Sequence, residues 1–351
     1  MSAPDHLRVV VSTPLSEELI ARITAIEPRV ELIHDQSLLP VSRFPGDHVG
    51  DPGFRRTVQQ QQAFDALVDS AEALYGVPDE DPAQLHRTAA VNASLRWVHT
   101  MPAGGGGQIK AADLDDEQLN RIAFSTSAGV HAEPLAEFAV FGVLGGAKSL
   151  PRLLKQQAAA EWSERWVMPL ISEQRVLVVG LGNIGRLTAR KLAALGARVT
   201  GVSRRQVDVE GIESTITPDR LAAEVGAFDA IVVTLPGTAE TEALIGGSVF
   251  SALTPGTTVV NVGRGTVIDE VALIEALESG QVGFAALDVF AVEPLSAASP
   301  LWRHPNVLIS PHTAGLNPSE DLMIAELFAV NAGRLLDGRE LINRVNTVEF
   351  Y

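Results

Sequence analysis

Residues 174–205 read QRVLVVGLGNIGRLTARKLAALGARVTGVSRR, and their pattern decides the fold. An apolar run, Val176–Val179, leads into Gly180-Leu181-Gly182-Asn183-Ile184-Gly185. An amphipathic stretch from Arg186 to Leu195 follows, then Gly196 and a second apolar run, Val199–Val202. This is the order strand, glycine turn, helix, strand. Each glycine has its own task. Gly180 permits the tight turn, Gly182 lets a pyrophosphate approach the backbone, and Gly185 lets the helix pack closely on the strand. A helix beginning at Asn183 and Ile184 offers unpaired N–H groups and its positive dipole end to phosphates. Glycine-rich turns are common, and it is the βαβ frame that makes this one a dinucleotide site.

The end of the second strand bears on which dinucleotide. An NAD site usually carries an acid about 20 residues past the glycines, on the ribose 2′-hydroxyl. Here the strand ends in Ser203-Arg204-Arg205, and Asp208 lies too far along to substitute. A hydroxyl and two guanidiniums suit a 2′-phosphate, which a carboxylate would repel. NADP(H) is therefore expected, with NAD(H) as the alternative.

The chain has 351 residues, 46% of them hydrophobic, enough for two ordinary domains with sizeable cores. It has no cysteine, so disulfides, thiolate metal sites and thiol nucleophiles are excluded, and no metal is expected. A net charge of −16 argues against nucleic acid or an anionic membrane as partner. No apolar run is long enough to span a bilayer, and the N-terminus lacks a signal pattern, so a cytoplasmic protein is expected.

Ahead of the glycine turn, strands are expected at Leu7–Val11, Val30–Ile33, Ala73–Tyr75, Leu95–Thr100 and Ile122–Ser125. Helices are expected at Pro14–Ile26, Phe54–Ala71 and Pro82–Ala90, and a Pro- and Gly-rich loop at Leu39–Gly53. The alternation implies a small doubly wound α/β domain. Gly129–Gln157 reads as one long helix. Trp162 and Trp166, four apart, could pack a helix or anchor a partner subunit, core packing being the safer reading. Beyond the dinucleotide unit, strands are expected at Ala230–Thr234, Thr258–Asn261, Phe284–Leu287 and Val307–Ile309. Helices are expected at Asp269–Ser279, stopped by Gly280, and at Asn317–Asp337.

Three late strands each end in polar residues: Asn261-Val262-Gly263-Arg264-Gly265, Asp288-Val289-Phe290 with Glu293-Pro294, and Ser310-Pro311-His312-Thr313-Ala314-Gly315. Ligands of parallel sheets bind outside the carboxyl ends of the strands, so these ends should share a crevice. Together they supply the parts that hydride transfer to a 2-oxo acid needs. Arg264 would grip the substrate carboxylate or carbonyl. His312 would give and take the carbonyl proton, and Glu293 would fix the imidazole tautomer.

These residues carry a resemblance. The chain resembles the D-isomer-specific 2-hydroxyacid dehydrogenases in GLGNIG (Gly180–Gly185), NVGRGTVID (Asn261–Asp269), ALDVF with EP (Ala286–Pro294) and SPHTAG (Ser310–Gly315). TSAGVHAEPLAE (Thr126–Glu137) matches the family's entry into its cofactor domain. The resemblance runs from Ser125 to about Gly338 and is weaker before it. It implies an α/β fold of two doubly wound parallel-sheet domains, a Rossmann cofactor domain (129–315) inserted into a flavodoxin-like substrate domain (1–128 and 316–351). Hinges would fall near Ala128–His131 and Gly315–Ser319. Arg264, Glu293 and His312 match the family's catalytic residues, and Asp288 the acid near the nicotinamide carboxamide. Leu235, Pro236 and Thr241 match the adenosine side of the cofactor site. Val262 and Gly263 match the nicotinamide side, with Gly315 closing the same motif.

The substrate domain should offer Gly76, Val77, Gly104 and Gly105 as backbone donors to the substrate carboxylate. The run of four glycines, Gly104–Gly107, and the 39–53 loop depart from the family pattern. Asp79, Glu80 and Asp81 beside the first loop would repel a phosphate group, which favours a short acid such as glyoxylate, hydroxypyruvate or pyruvate. The family's dimers imply a homodimer through the cofactor domain. The reading from another class is a dinucleotide-sensing binding protein with little turnover, since a fold does not dictate a function.

Overall fold

The computed structural model describes residues 6–205 and 207–350. The chain forms two compact units, one running through His131 and resuming at Leu316, the other spanning Ala132–Gly315.

The first unit holds a five-stranded sheet of β1 (Leu7–Val11), β2 (Val30–Ile33), β3 (Ala73–Tyr75), β4 (Trp97–Thr100) and β5 (Ala123–Thr126), in the order β2-β1-β3-β4-β5. Every pairing is parallel. This is the flavodoxin-like order, with its switch between β1 and β3. All four residues of β4 are buried, as expected where helices cover both faces. Helix starts follow their caps. Ser16 accepts from the Leu19 N–H before the Glu17–Ile26 helix, and Thr57 with Gln60 forms a capping box before the Val58–Val68 helix. The last helix, Glu320–Leu336, returns from the far end of the sequence into this core. It inserts Phe328, whose ring stacks on Trp97 at 4.6 Å and meets Tyr75 edge-on at 5.0 Å.

Beneath these rings lies a buried polar network. Trp97 Nε1 donates to Ser125 Oγ at 2.9 Å, and the His99 ring is hydrogen-bonded to Ser125 Oγ (2.8 Å) and Ser127 Oγ (3.1 Å). Burial, helped by the charge of His48, pushes the His99 imidazole down to about 3. The unfolded chain protonates at the ordinary value of 6.5 while the folded chain does not, so stability should fall as pH drops from 6.5 toward 3. The complete effect is on the order of 5 kcal/mol. Urea midpoints measured above about pH 5 should decline less steeply for His99→Gln than for the wild type, and parallel declines would contradict this origin.

The 39–53 stretch contains neither helix nor strand, and side chains hold it in place. Arg43 Nε donates to Asp47 at 2.6 Å, and this bond brings the Asp47 carboxyl down to about 2. The Gly46 N–H donates to Asp321, and His48 lies 3.4 Å from Glu320 Oε1. His131 Nε2 meets the same oxygen at 2.9 Å. Burial alone would raise the Glu320 carboxyl, but His131 and His48 outweigh it and bring it to about 2.

The second unit is a seven-stranded parallel sheet: β6 (Arg175–Val179), β7 (Arg198–Val202), β8 (Ser214–Ile216), β9 (Ala230–Val233), β10 (Thr257–Asn261), β11 (Val282–Leu287) and β12 (Val307–Ile309). Its order is β12-β11-β10-β9-β6-β7-β8, with the winding reversing between β6 and β9. That is the Rossmann arrangement extended by one strand. Val176–Val179 are fully buried because helices cover both faces. One of them, Ala132–Ala147, lies flat on β10 because Gly142 and Gly146 carry no Cβ to strike Val260 and Thr258.

Four sequence expectations change. Gly129–Gln157 is two helices, Ala132–Ala147 and Leu150–Ala158, separated at Ser149 (φ 53°). Pro151 is the reason: it has no N–H to give, and its ring would strike the carbonyl four residues back. The glycine run is not all loop, since Gly106–Ala111 is helical. The Asp116–Arg121 helix and β8 are additional elements. Core packing fails for Trp162, which is fully exposed in a stretch without helix, while Trp166 lies 3.9 Å beneath the Arg152 guanidinium. Among the described residues, no helix is long and apolar enough to cross a membrane.

Candidate active site

The glycine turn sits at the carboxyl end of β6, beside the reversal of the sheet. Gly180 adopts φ +102°, a left-handed conformation that side chains resist. A Cβ at Gly185 would overlap the Gly180 carbonyl oxygen, so the helix closes on the strand only with glycine there. Thr234 Oγ1 donates to the same carbonyl at 2.9 Å and pins the turn from β9. Gly182 instead faces open space, with nothing within 4 Å of where a Cβ would stand. The Asn183–Ala194 helix starts there without a side-chain cap, so the N–H groups of Asn183 and Ile184 face outward at an exposed helix start. This cradle fits a pyrophosphate.

Ser203, Arg204 and Arg205 follow β7. Ser203 Oγ accepts from the Arg205 N–H at 3.3 Å, and both arginines are exposed. Arg204 Nη1 pairs with Glu240 Oε2 at 2.8 Å. Glu240 belongs to the loop after β9, where Thr241 Oγ1 donates to the Pro236 carbonyl at 2.6 Å. Leu235 in that loop packs against Gly263, since a Cβ on Gly263 would meet the Leu235 backbone. The segments expected on the adenosine and nicotinamide sides are thus neighbours.

The three polar strand ends lie side by side, because β10, β11 and β12 are consecutive in the sheet. Asn261 braces the first: its Oδ1 accepts from Gly263 N–H (3.0 Å) and its Nδ2 donates to Arg264 O (3.1 Å). Arg264 itself is exposed, with Nη1 donating to the Gly263 carbonyl at 2.8 Å. Gly265 fits flush on the next strand end, since a Cβ would run into the Phe290 backbone. The Phe290 N–H donates to Glu293 Oε1 at 2.9 Å, and Glu293 Oε2 lies 2.6 Å from His312 Nδ1. An unbroken set of contacts therefore links the loop of Arg264 to the imidazole. Glu293 accepts on both oxygens, which places the proton on Nδ1 and leaves Nε2 to exchange a proton with a ligand.

Asp288 is 1% exposed. Its Oδ1 accepts from Ser310 Oγ (2.6 Å), Thr313 N–H (3.0 Å) and Ala314 N–H (3.0 Å), while Oδ2 is buried with no partner. A buried carboxylate oxygen without a donor is costly, and an amide N–H₂ from a ligand would satisfy it. The nicotinamide carboxamide has that group. The open cradle at Gly182 and the orphaned Asp288 Oδ2 both fit a nicotinamide dinucleotide. Asn261 and Ser310 carry support that sequence reading did not single out, although Ser310 lies inside the SPHTAG stretch. A hydroxyl placed before Pro311 was the available signal. His312 stands at φ 54°, its N–H donating to the Asp288 carbonyl at 2.9 Å, and Gly315 ends the unit.

In the other unit, Gly76 and Val77 follow β3 and are buried, with Gly76 at φ +93°. Gly104 is exposed, and Gly105 presses on the Thr100 side chain. The three acids beside the first loop are each engaged. Asp79 pairs with Arg56 at 2.8 Å, Glu80 accepts from Gln108, and Asp81 caps the Pro82–Val91 helix. Of the three, only Asp79 is paired with a cation, so acidic groups remain beside the first loop, as the sequence reading has them.

A family model for the NAD binding domain of D-isomer specific 2-hydroxyacid dehydrogenases matches residues 140–314. Glyoxylate/hydroxypyruvate reductase A of Yersinia enterocolitica is 32% identical over 253 residues, 70% of this chain and 74% of that one. The protein of the same name from Serratia proteamaculans is 33% identical over 210 residues, 58% of this chain and 66% of that one, just under two thirds. A D-isomer specific 2-hydroxyacid dehydrogenase from Xanthobacter autotrophicus, solved with NADPH and MES, superposes with a TM-score of 0.76 at 27% identity, covering 99% of this chain and 100% of the other. Motifs, strand order, site geometry and these likenesses agree: the chain belongs to the D-isomer-specific 2-hydroxyacid dehydrogenases, oxidoreductases acting on the CH–OH group of 2-hydroxy acids.

Proposed function

We propose that this chain reduces a short 2-oxo acid, such as glyoxylate or hydroxypyruvate, to the D-2-hydroxy acid with NADPH. The observation that carries the reading is the Glu293–His312 pair at 2.6 Å, joined through Phe290 and Gly265 to the loop that presents Arg264. When bound, the nicotinamide ring supplies the hydride. Arg264 holds the substrate carboxylate and carbonyl oxygen in a two-pronged grip. His312 Nε2 delivers the proton to that oxygen, and Glu293 steadies the imidazolium before the transfer. Asp288 orients the carboxamide, and the Gly180–Gly185 turn takes the pyrophosphate.

In this reading residues 129–315 bind the cofactor, and residues 1–128 with 316–351 bind the substrate. Gly76, Val77, Gly104 and Gly105 donate backbone N–H groups to the substrate carboxylate. The choice of glyoxylate and hydroxypyruvate is supported by the names of the Yersinia and Serratia relatives. Ser203, Arg204 and Arg205, and the NADPH held by the Xanthobacter protein, support the phosphorylated cofactor. Two chains work as a homodimer in the cytoplasm, with exposed Trp162, Val167 and Leu170 offering apolar surface in the cofactor unit.

Steady-state rates over a panel of 2-oxo acids with each reduced cofactor test this. One retained guanidinium–phosphate contact should favour NADPH over NADH by about 10- to 100-fold in kcat/KM. A preference for NADH, or turnover confined to phosphorylated acids, would refute the respective part.

A further inference from the structure

Glu80 and Gln108 lie just past the two loops assigned above to the substrate carboxylate. Gln108 Nε2 donates to Glu80 Oε2 at 2.8 Å. The remaining oxygen of each, Glu80 Oε1 and Gln108 Oε1, is buried without a hydrogen-bond partner. If Glu80 were ionised, both would be acceptors and neither could serve the other. A single proton on Glu80 Oε1 removes the conflict, because it turns that oxygen into a donor. A carboxylic acid and a primary amide then close a ring of two hydrogen bonds. We infer that Glu80 is held as the neutral acid in such a pair with Gln108, and that the pair latches the Gly76-Val77 loop to the Gly104-Gly105 loop so that their N–H groups stay fixed. The inference rests on the proposed substrate-binding role of those loops.

The backbone is arranged to bring the two side chains together. Asp79 and Glu80 both have left-handed backbones, φ 57° and 52°, a conformation non-glycine residues adopt only when their surroundings hold them. Asp79 is secured by Arg56, whose guanidinium stacks 3.7 Å over the Phe64 ring, and Glu80 by Gln108. Gln108 is reached through the tight turn at Gly105, where any side chain would overlap Thr100. The glycine run thus lets the Gly106–Ala111 helix start close enough for the bond to form.

Burial favours the acid form and pushes the Glu80 carboxyl up, against the pull of the Gln108 amide, the His48 charge and the Val77 backbone. Asp79, paired with Arg56, and Asp81 flank Glu80, and Tyr75 on β3, kept neutral by its own burial, feels both Glu80 and Asp321 on the last helix. His48 acts on Glu80. The proton comes from solvent. Losing it at high pH would release the latch and set a carboxylate beside the substrate's own. Substrate KM should therefore rise, with kcat changing much less.

The test uses the full chain with saturating NADPH and glyoxylate. Wild-type KM for glyoxylate should rise by about tenfold or more from about pH 6 to about pH 9, while the KM for NADPH stays level. Glu80→Gln, the uncharged isostere, should keep the low-pH glyoxylate KM within about threefold across that range, and Gln108→Leu should have a high KM throughout. In chain labelled with ¹³C at the glutamate carboxyls, the resonance missing from Glu80→Gln should titrate above the ordinary carboxylate range. A Glu80 resonance titrating in the ordinary carboxylate range, or the wild-type rise in KM persisting in Glu80→Gln, would overturn the proposal. The NMR arm needs no turnover, so it decides the state of Glu80 even if glyoxylate is not a substrate.

Discussion

Replacing His312 with alanine should lower kcat for 2-oxo acid reduction by about 10²–10⁴-fold, the usual worth of a general acid. The dissociation constant for NADPH, measured by fluorescence titration, should move by less than about threefold, since the phosphate cradle belongs to other strands. A dinucleotide sensor would lose nothing measurable, so the variant separates the two classes of function. The backbone needs a control. His312 sits at φ 54°, where alanine is strained and asparagine is not, so His312→Asn preserves the turn while removing the imidazole. If both variants lose turnover equally, the imidazole is responsible. If only alanine does, the loss belongs to the turn.

Arg264 should rank second. Its grip on the substrate carboxylate and carbonyl oxygen would consist of two charge-assisted hydrogen bonds, together worth about 3–5 kcal/mol. Arg264→Ala should accordingly reduce kcat/KM for the oxo acid by about 10²–10⁴-fold. Arg264→Lys should recover only a fraction, because an ammonium group cannot span both oxygens in one plane. The loop should survive either change, since Asn261 binds its backbone on both sides and Gly265 is seated on Phe290. A lysine variant as active as the wild type would argue against two-pronged binding.

Much of the architecture could be read before any coordinates, for a physical reason. Parallel strands are short apolar runs, and Leu7–Val11, Val30–Ile33, Ala73–Tyr75 and Val307–Ile309 begin and end where composition places them. Gly280 stops its helix in a left-handed cap, as its position after Ser279 suggests. What escaped notice are elements whose residues contradict their local preference. Gly106–Ala111 forms a helix although it starts with two glycines, so tertiary context overrides propensity there; Gly105 just before it sits against Thr100 at the end of β4. β8 is only three residues long and carries Ser214 and Thr215 at the edge of its sheet, so it has little apolar signal.

At the site, the groups proposed to do chemistry were visible because they stand as polar residues at the ends of apolar runs. Their supports were not. Asn261 acts through its backbone partners, and Ser310 through one buried oxygen of Asp288. Glu80 read as a surface acid among acids, because one sequence cannot show that a left-handed turn swings it inward to Gln108.

The Glu320–Leu336 helix has a consequence for how the polypeptide is made. Phe328 fills the space between Trp97 and Tyr75, yet it is synthesised more than two hundred residues after them. While the chain is still growing on the ribosome, the first five strands must wait with an open hole where that ring belongs. The inserted unit, complete by Gly315, can settle first. Biogenesis therefore runs inside out, with the middle of the message folding before its beginning, and the waiting strands are the stretch most in need of a chaperone's cover.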